Sequence, residues 1–142
     1  MSEDDSKSYK MASFILVLLM TVLQGIYALH AFIDPSAFSV LRGTVLTDIG
    51  DADWVRIYAS RTLFLALIIG YLLYLQNYNI LKWAAIFAIV MPVTDAVLAY
   101  HAQAPTQVIF KHVGTAGYLL VTFFVLHRLT KRLSKDAIRS TA

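Results

Sequence analysis

The sequence predicts an all-α integral membrane protein, a four-helix up-down bundle with both ends in the cytosol. Three observations carry that expectation. Of the 142 residues, 58% are hydrophobic and only 15% charged, with a mean hydropathy of +0.65; an ordinary soluble domain is about 45–50% apolar and about 25% charged. The apolar residues fall into four long blocks, with nearly all the charge between them or at the ends. Lysine and arginine are distributed unequally about those blocks. The connections are too short for a second domain, so one is expected.

A bilayer core takes about 20 mostly apolar residues per helix. The first block, about 11–32, has no charged residue; the second, about 58–76, contains Arg61. The third, about 81–100, contains Pro92 and Asp95, and the fourth, about 108–126, has Lys111 and His112 near its start. These spans form a membrane domain over 11–128, between an N-terminal tail (1–10) and a basic C-terminal tail (129–142). The leader sets Glu3, Asp4 and Asp5 against Lys7 and Lys10, whereas a signal peptide has a positive n-region. The first block is therefore expected to stay as a helix.

Orientation follows from the basic residues outside the spans. Lys7, Lys10, Lys82, Arg128, Lys131, Arg132, Lys135 and Arg139 lie on one side, Arg42 and Arg56 on the other. Both termini and the second connection are thus expected in the cytosol. Tyr74, Tyr78 and Trp83 mark the inner interface, and Phe38, Trp54, Tyr100 and Phe110 the outer one. The net charge of +3 is accordingly a topology and headgroup signal rather than a nucleic-acid signal, since five of the twelve basic residues follow the last apolar block. The absence of cysteine excludes disulfides, thiolate metal sites, thioether-linked haem and thiol catalysis.

The sizeable loop, 34–55, opens on Asp34-Pro35, a turn or helix-start signal. Asp48, Asp51 and Asp53 read as solvated surface. Phe38, Val40, Leu41, Val45, Leu46 and Ile49 read as a short amphipathic segment that either lies on the outer leaflet or caps the bundle.

Ionisable groups at membrane depth are costly, so they turn inward and pair. The expected topology places Gln24, Tyr27, His30, Tyr58, Arg61, Asp95, His101, Lys111, His112 and Thr115 in the outer half of the bundle. Arg61, Asp95 and His112 fall at a common depth, roughly 5–8 Å below the outer boundary. Asp95 is the sole acid within a span, and its natural partner is Arg61, with Lys111 and His112 as competitors. Pro92 frees the carbonyl of Ala88 for inward polar groups or water. Gly114 and Gly117 would let the fourth helix approach a neighbour closely.

Three readings of this layer stay open. One is a structural clamp that fixes which helices are neighbours. Another is a polar-floored pocket, open to the outside, that binds a small molecule or shuttles protons. The third is a metal or haem site from His30, His101 and His112. No HExxH, GxSxG or GxxxxGK[ST] motif is present, and no cofactor is expected.

The pattern from Arg61 onward is similar to a known family. Arg61 leads an apolar run to Gly70, Pro92-Val-Thr-Asp95-Ala follows in the third span, and His112 with Gly114 opens the fourth. This resembles a family of small four-helix bacterial and fungal membrane proteins described as a domain of unknown function, and its layout is similar to DoxX-like proteins. The resemblance implies the fold and singles out Arg61, Asp95 and His112; it implies no reaction.

The expected protein is a small multi-pass protein of the inner (plasma) membrane, an accessory or small-ligand-binding protein with its polar cluster in the outer half. The alternative is a small membrane enzyme or proton-linked carrier acting on an apolar substrate, a quinone or lipid-like metabolite. Expected partners are the lipid bilayer, a second copy or another membrane subunit, and a small apolar ligand; nucleic acid is not expected.

Overall fold

The computed structural model describes residues 3–48 and 50–140, and among them every regular element is a helix. The six are α1 (Glu3–Ile33), α2 (Pro35–Arg42), α3 (Asp51–Tyr74), α4 (Tyr78–Phe87), α5 (Val90–His101) and α6 (Thr106–Ser140). Four stretches are long and apolar enough to cross a membrane: Lys7–Ile33, Asp51–Tyr74, Tyr78–His101 (α4 with α5) and Thr106–Ile138. Leu19, Ile26, Phe64, Leu67, Val93 and Phe124 are all exposed. Packing within one chain leaves that outer surface bare, and a bilayer would cover it.

The helix ends are encoded locally. Asp34 caps α2 by accepting the Ala37 N–H at 2.9 Å, and Pro35 stands at the first helical position, where its missing N–H costs nothing. Gly43 stops α2 with φ +88, a left-handed conformation that glycine adopts without a steric penalty. Asn77 caps α4 through the Ile80 N–H at 3.2 Å. At the head of α3 one carboxylate gathers the preceding loop: Asp51 Oδ2 accepts from the Thr47 and Asp48 N–H groups at 3.2 and 3.1 Å. Pro92 lies in the first turn of α5, just past the break that divides the third span. The Ala88 carbonyl is not left for polar side chains or water, as the sequence had suggested. It accepts the Met91 N–H at 3.1 Å in a tightened turn.

Small residues set the closest approach. Ala28 and Ala31 of α1, with Ala59, Thr62 and Ala66 of α3, are all buried, and Gly70 lies against Thr21. α1 packs along α3 and α6, and α6 also packs on α4 and α5. Gly114 and Gly117, expected to make a close approach, do not: both are exposed with open space over them. The buried positions of α6 include His112, Leu119, Thr122, Leu126 and Leu129, about 140° round the helix from the glycine stripe.

Two apolar clusters form the core. At the end carrying both termini, Val17, Leu73, Tyr78, Leu81 and Leu126 pack together. At the opposite end, the loop end, Phe38 of α2 is buried on Ala31 and Ala59. α2 therefore caps the bundle through Phe38 and Ser39, leaving Val40 and Val45 outward; Ile49 lies outside the described residues. α6 runs unbroken through the basic segment to Ser140. There the Arg132 guanidinium lies over the Tyr9 ring at 4.2 Å, so the two terminal extensions are packed together.

Candidate functional site

The polar side chains gather at the loop end, under α2. The centre is an ion pair between Arg42, in the last turn of α2, and Asp95 of α5. Its side chains are 17% and 27% exposed, so the pair is largely withdrawn from water. Arg42 also lies over two rings, 5.9 Å from the centre of Phe38 and 5.4 Å from that of Tyr58. A planar guanidinium suits this dual use, stacking through its faces and pairing through its edge. Beside Asp95, His112 Nδ1 stands 3.9 Å from the carboxylate, beyond hydrogen-bond reach but close enough to feel its charge. His112 is 3% exposed, and its Nε2 has no hydrogen-bond partner among the described residues.

Neighbouring groups hold α2 in place. Lys111 Nζ donates to the Leu41 carbonyl at 2.6 Å, a cation on the C-terminal end of a short helix where the dipole favours it. Phe38 meets the Tyr27 and His30 rings in T-shaped contacts and packs on Tyr58 at 5.5 Å between ring centres. α1, α2, α3, α5 and α6 thus all contribute to one layer, and the convergence read from the sequence is real for Tyr27, His30, Tyr58, Asp95, Lys111 and His112.

Its wiring differs from the sequence expectation. Asp95 pairs with Arg42, not Arg61. Arg61 is exposed and makes no ion pair among the described residues. The cause is rotational: Ala59, Thr62 and Ala66 turn toward α1, which swings Arg61 out of the bundle. Gln24 reaches back along its own helix to Met20 Sδ at 3.8 Å, and Thr115 bonds the Lys111 carbonyl one turn earlier at 2.9 Å; neither enters the cluster. His101 is exposed beside Tyr100. Among the described residues no three His, Asp or Glu side chains come within reach of a shared metal ion.

Beside the ion pair lies an open cleft of about 450 Å³ between α2, α3 and α5. Arg42, Asp51 and Asp95 are its charged lining residues, and Trp54, Val55 and Leu98 are among its apolar ones. The cleft exists because α3 and α5 barely touch at this end, so α2 bridges a gap rather than covering a sealed core. Asp51, read from the sequence as solvated surface, is half-buried and forms part of this wall.

Arg42 is the functional candidate that sequence reasoning missed. The signal was present: Asp34-Pro35 starts a helix, Gly43 stops it, and Arg42 fills its last turn.

A family model described as a domain of unknown function (DUF4267) matches residues 16–126, a stretch holding every residue of the cluster and cleft but neither terminal extension. The match bears out the resemblance to a family of that description; a likeness to DoxX-like proteins is not shown. No curated protein and no solved structure matches the chain.

Proposed function

The chain belongs to the DUF4267 family, whose description assigns no activity, and we propose that it is a multi-pass membrane protein binding one small amphiphile in the cleft beneath α2. The supporting observation is the cleft's composition. A charged pair and an indole both line a cleft of about 450 Å³, a volume in the range of small-molecule sites. The polar wall suits a head group and the apolar wall a chain or ring. In this reading Arg42–Asp95 serves the fold and the ligand together, fixing α2 as a roof and presenting hydrogen-bonding edges to the cleft.

The charge asymmetry, eight basic residues toward the end with the termini against Arg42 and Arg56 toward the loop end, supports an N-in, C-in orientation, for which we take the plasma membrane as the setting. The cleft then opens on the non-cytosolic side, in the outer half of the bilayer.

Native mass spectrometry of the detergent-purified protein tests the reading. One amphiphile is expected per chain, retained by the wild type and lost on Leu98→Trp, which fills the cleft from an exposed position. No retained amphiphile, or one indifferent to Leu98→Trp, overturns it.

A further inference from the structure

Among the described residues, Arg61 is the charged side chain well inside an apolar block that finds no partner. It stands seven residues beyond Trp54 on α3, about 10 Å deeper at the rise of an α-helix. Its side chain is exposed, with no ion-pair or hydrogen-bond partner among the described residues. Lys111, at comparable depth, is anchored to a carbonyl, and Asp95 is taken by Arg42. A guanidinium without a partner at hydrocarbon depth is costly. Arg61 therefore calls for an anion from outside the chain.

Its position indicates where that anion sits. Tyr58, Arg61, Leu65 and Ile68 share one face of α3 at helical spacing. Asp51, Trp54, Val55 and Tyr58 of α3 line the cleft, and Arg61 follows Tyr58 by three residues on the same helix, just below that lining. Helical side chains tilt toward the helix N-terminus, here the loop end, which favours reach of the guanidinium toward the near interface.

A second copy of the chain is a poor source of the anion. Of the nine acidic residues, Glu3, Asp4, Asp5 and Asp136 belong to the terminal extensions, Asp34 and Asp48 flank α2, and Asp51 and Asp53 lie in the first turn of α3 at the loop end. Only Asp95 lies away from the ends of a span. Copies related by an axis along the membrane normal bring equal depths together and would offer Arg61 no free acid.

We infer that the cleft takes its ligand sideways from the bilayer, and that the ligand is a phospholipid whose phosphate is held by Arg61 at the mouth. This rests on the reading of the cleft as an amphiphile site. The guanidinium fork matches two phosphate oxygens, and the glycerol and upper acyl segments would lie along Trp54, Val55 and Leu98.

The experiment titrates purified protein with dioleoylphosphatidylglycerol, dioleoylphosphatidylcholine, dioleoylglycerol and tail-free glycerol phosphate, read by native mass spectrometry. Wild type, Arg61→Gln, Arg61→Lys and Leu98→Trp are compared, with thermal unfolding as the folding control. Both phospholipids are expected to bind the wild type about tenfold tighter than dioleoylglycerol, the equivalent of about 1.4 kcal/mol. Arg61→Gln should erase that preference and keep dioleoylglycerol binding; Arg61→Lys should keep part of it, and tail-free glycerol phosphate should not bind.

Equal binding of phospholipid and dioleoylglycerol by the wild type, still lost in Leu98→Trp, overturns the role of Arg61 and leaves the cleft standing. Failure of every lipid to bind overturns both. A preference that survives Arg61→Gln puts the head group elsewhere and overturns the inference. So does an acid of another membrane subunit found cross-linked at position 61 in place of lipid.

Discussion

The Arg42 guanidinium and the Asp95 carboxylate form an ion pair that ties a short capping helix to the third span. Two elements separated by all of α3 and α4 are joined at the one place where α2 crosses the gap between α3 and α5. The stability of that end of the bundle, and the shape of its cleft, should therefore depend on this pair.

Arg42→Ala and Asp95→Ala should each lower stability by about 2–3 kcal/mol. Removing one partner of a buried pair costs about 3–5 kcal/mol, discounted here for partial exposure. The exchange Arg42→Asp with Asp95→Arg should recover part of the loss, while Arg61→Ala should leave unfolding in detergent unchanged. Thermal unfolding of the variants checks all three, and rescue of Asp95→Arg by Arg61→Asp instead would assign the pair to Arg61.

Gly43→Ala should be among the most damaging small substitutions. The position holds φ +88, and an added Cβ would lie 2.9 Å from Ala104 Cβ and Val108 Cγ1. Left-handed backbone costs a non-glycine residue about 1–2 kcal/mol, and the clash adds to it. A melting temperature equal to that of the wild type would show that α2 does not seat on α6 as described.

Lys111→Met should loosen α2 without unfolding the spans. The substitution removes the bond to the Leu41 carbonyl, a charge-assisted contact worth about 1.5–3 kcal/mol. Hydrogen exchange over residues 35–48 should accelerate, while the seam between α1 and α3 keeps its protection.

Tyr118→Phe tests the packing of α1 on α6. The phenol donates to the Leu16 carbonyl at 2.7 Å, and its loss should cost about 1 kcal/mol. Binding at the distant cleft should be unaffected.

The spans were legible because burial in lipid writes itself as composition: about 20 apolar residues per crossing need no partner to be recognised. The polar layer was legible through depth, since helix rise converts residue number into height. Rotation was not. Arg61 and Asp95 occupy similar heights, but the alanine seam of α1 and α3 turns Arg61 outward, and nothing in one helix's own spacing reports how its neighbour is rotated. Arg42 was counted as loop charge because α2 has only eight residues, too short for a hydrophobic period to stand out; its cap and stop signals were the better guide. Gly114 and Gly117 fit the small-residue rule for close helices, yet the close seam is built from alanine and threonine on α1 and α3.

The central claim is that the cleft beneath α2 holds one amphiphile beside Trp54. The sequence contains two tryptophans, Trp54 and Trp83, so Trp83→Phe leaves a single reporter, 71% exposed on the cleft wall. Emission from this variant in nanodiscs should fall saturably, with one-site stoichiometry, as dibrominated phosphatidylglycerol replaces unbrominated lipid, and the saturable phase should vanish on Leu98→Phe. Quenching that rises only in proportion to the brominated fraction, with no saturable phase and no response to Leu98→Phe, would contradict the claim.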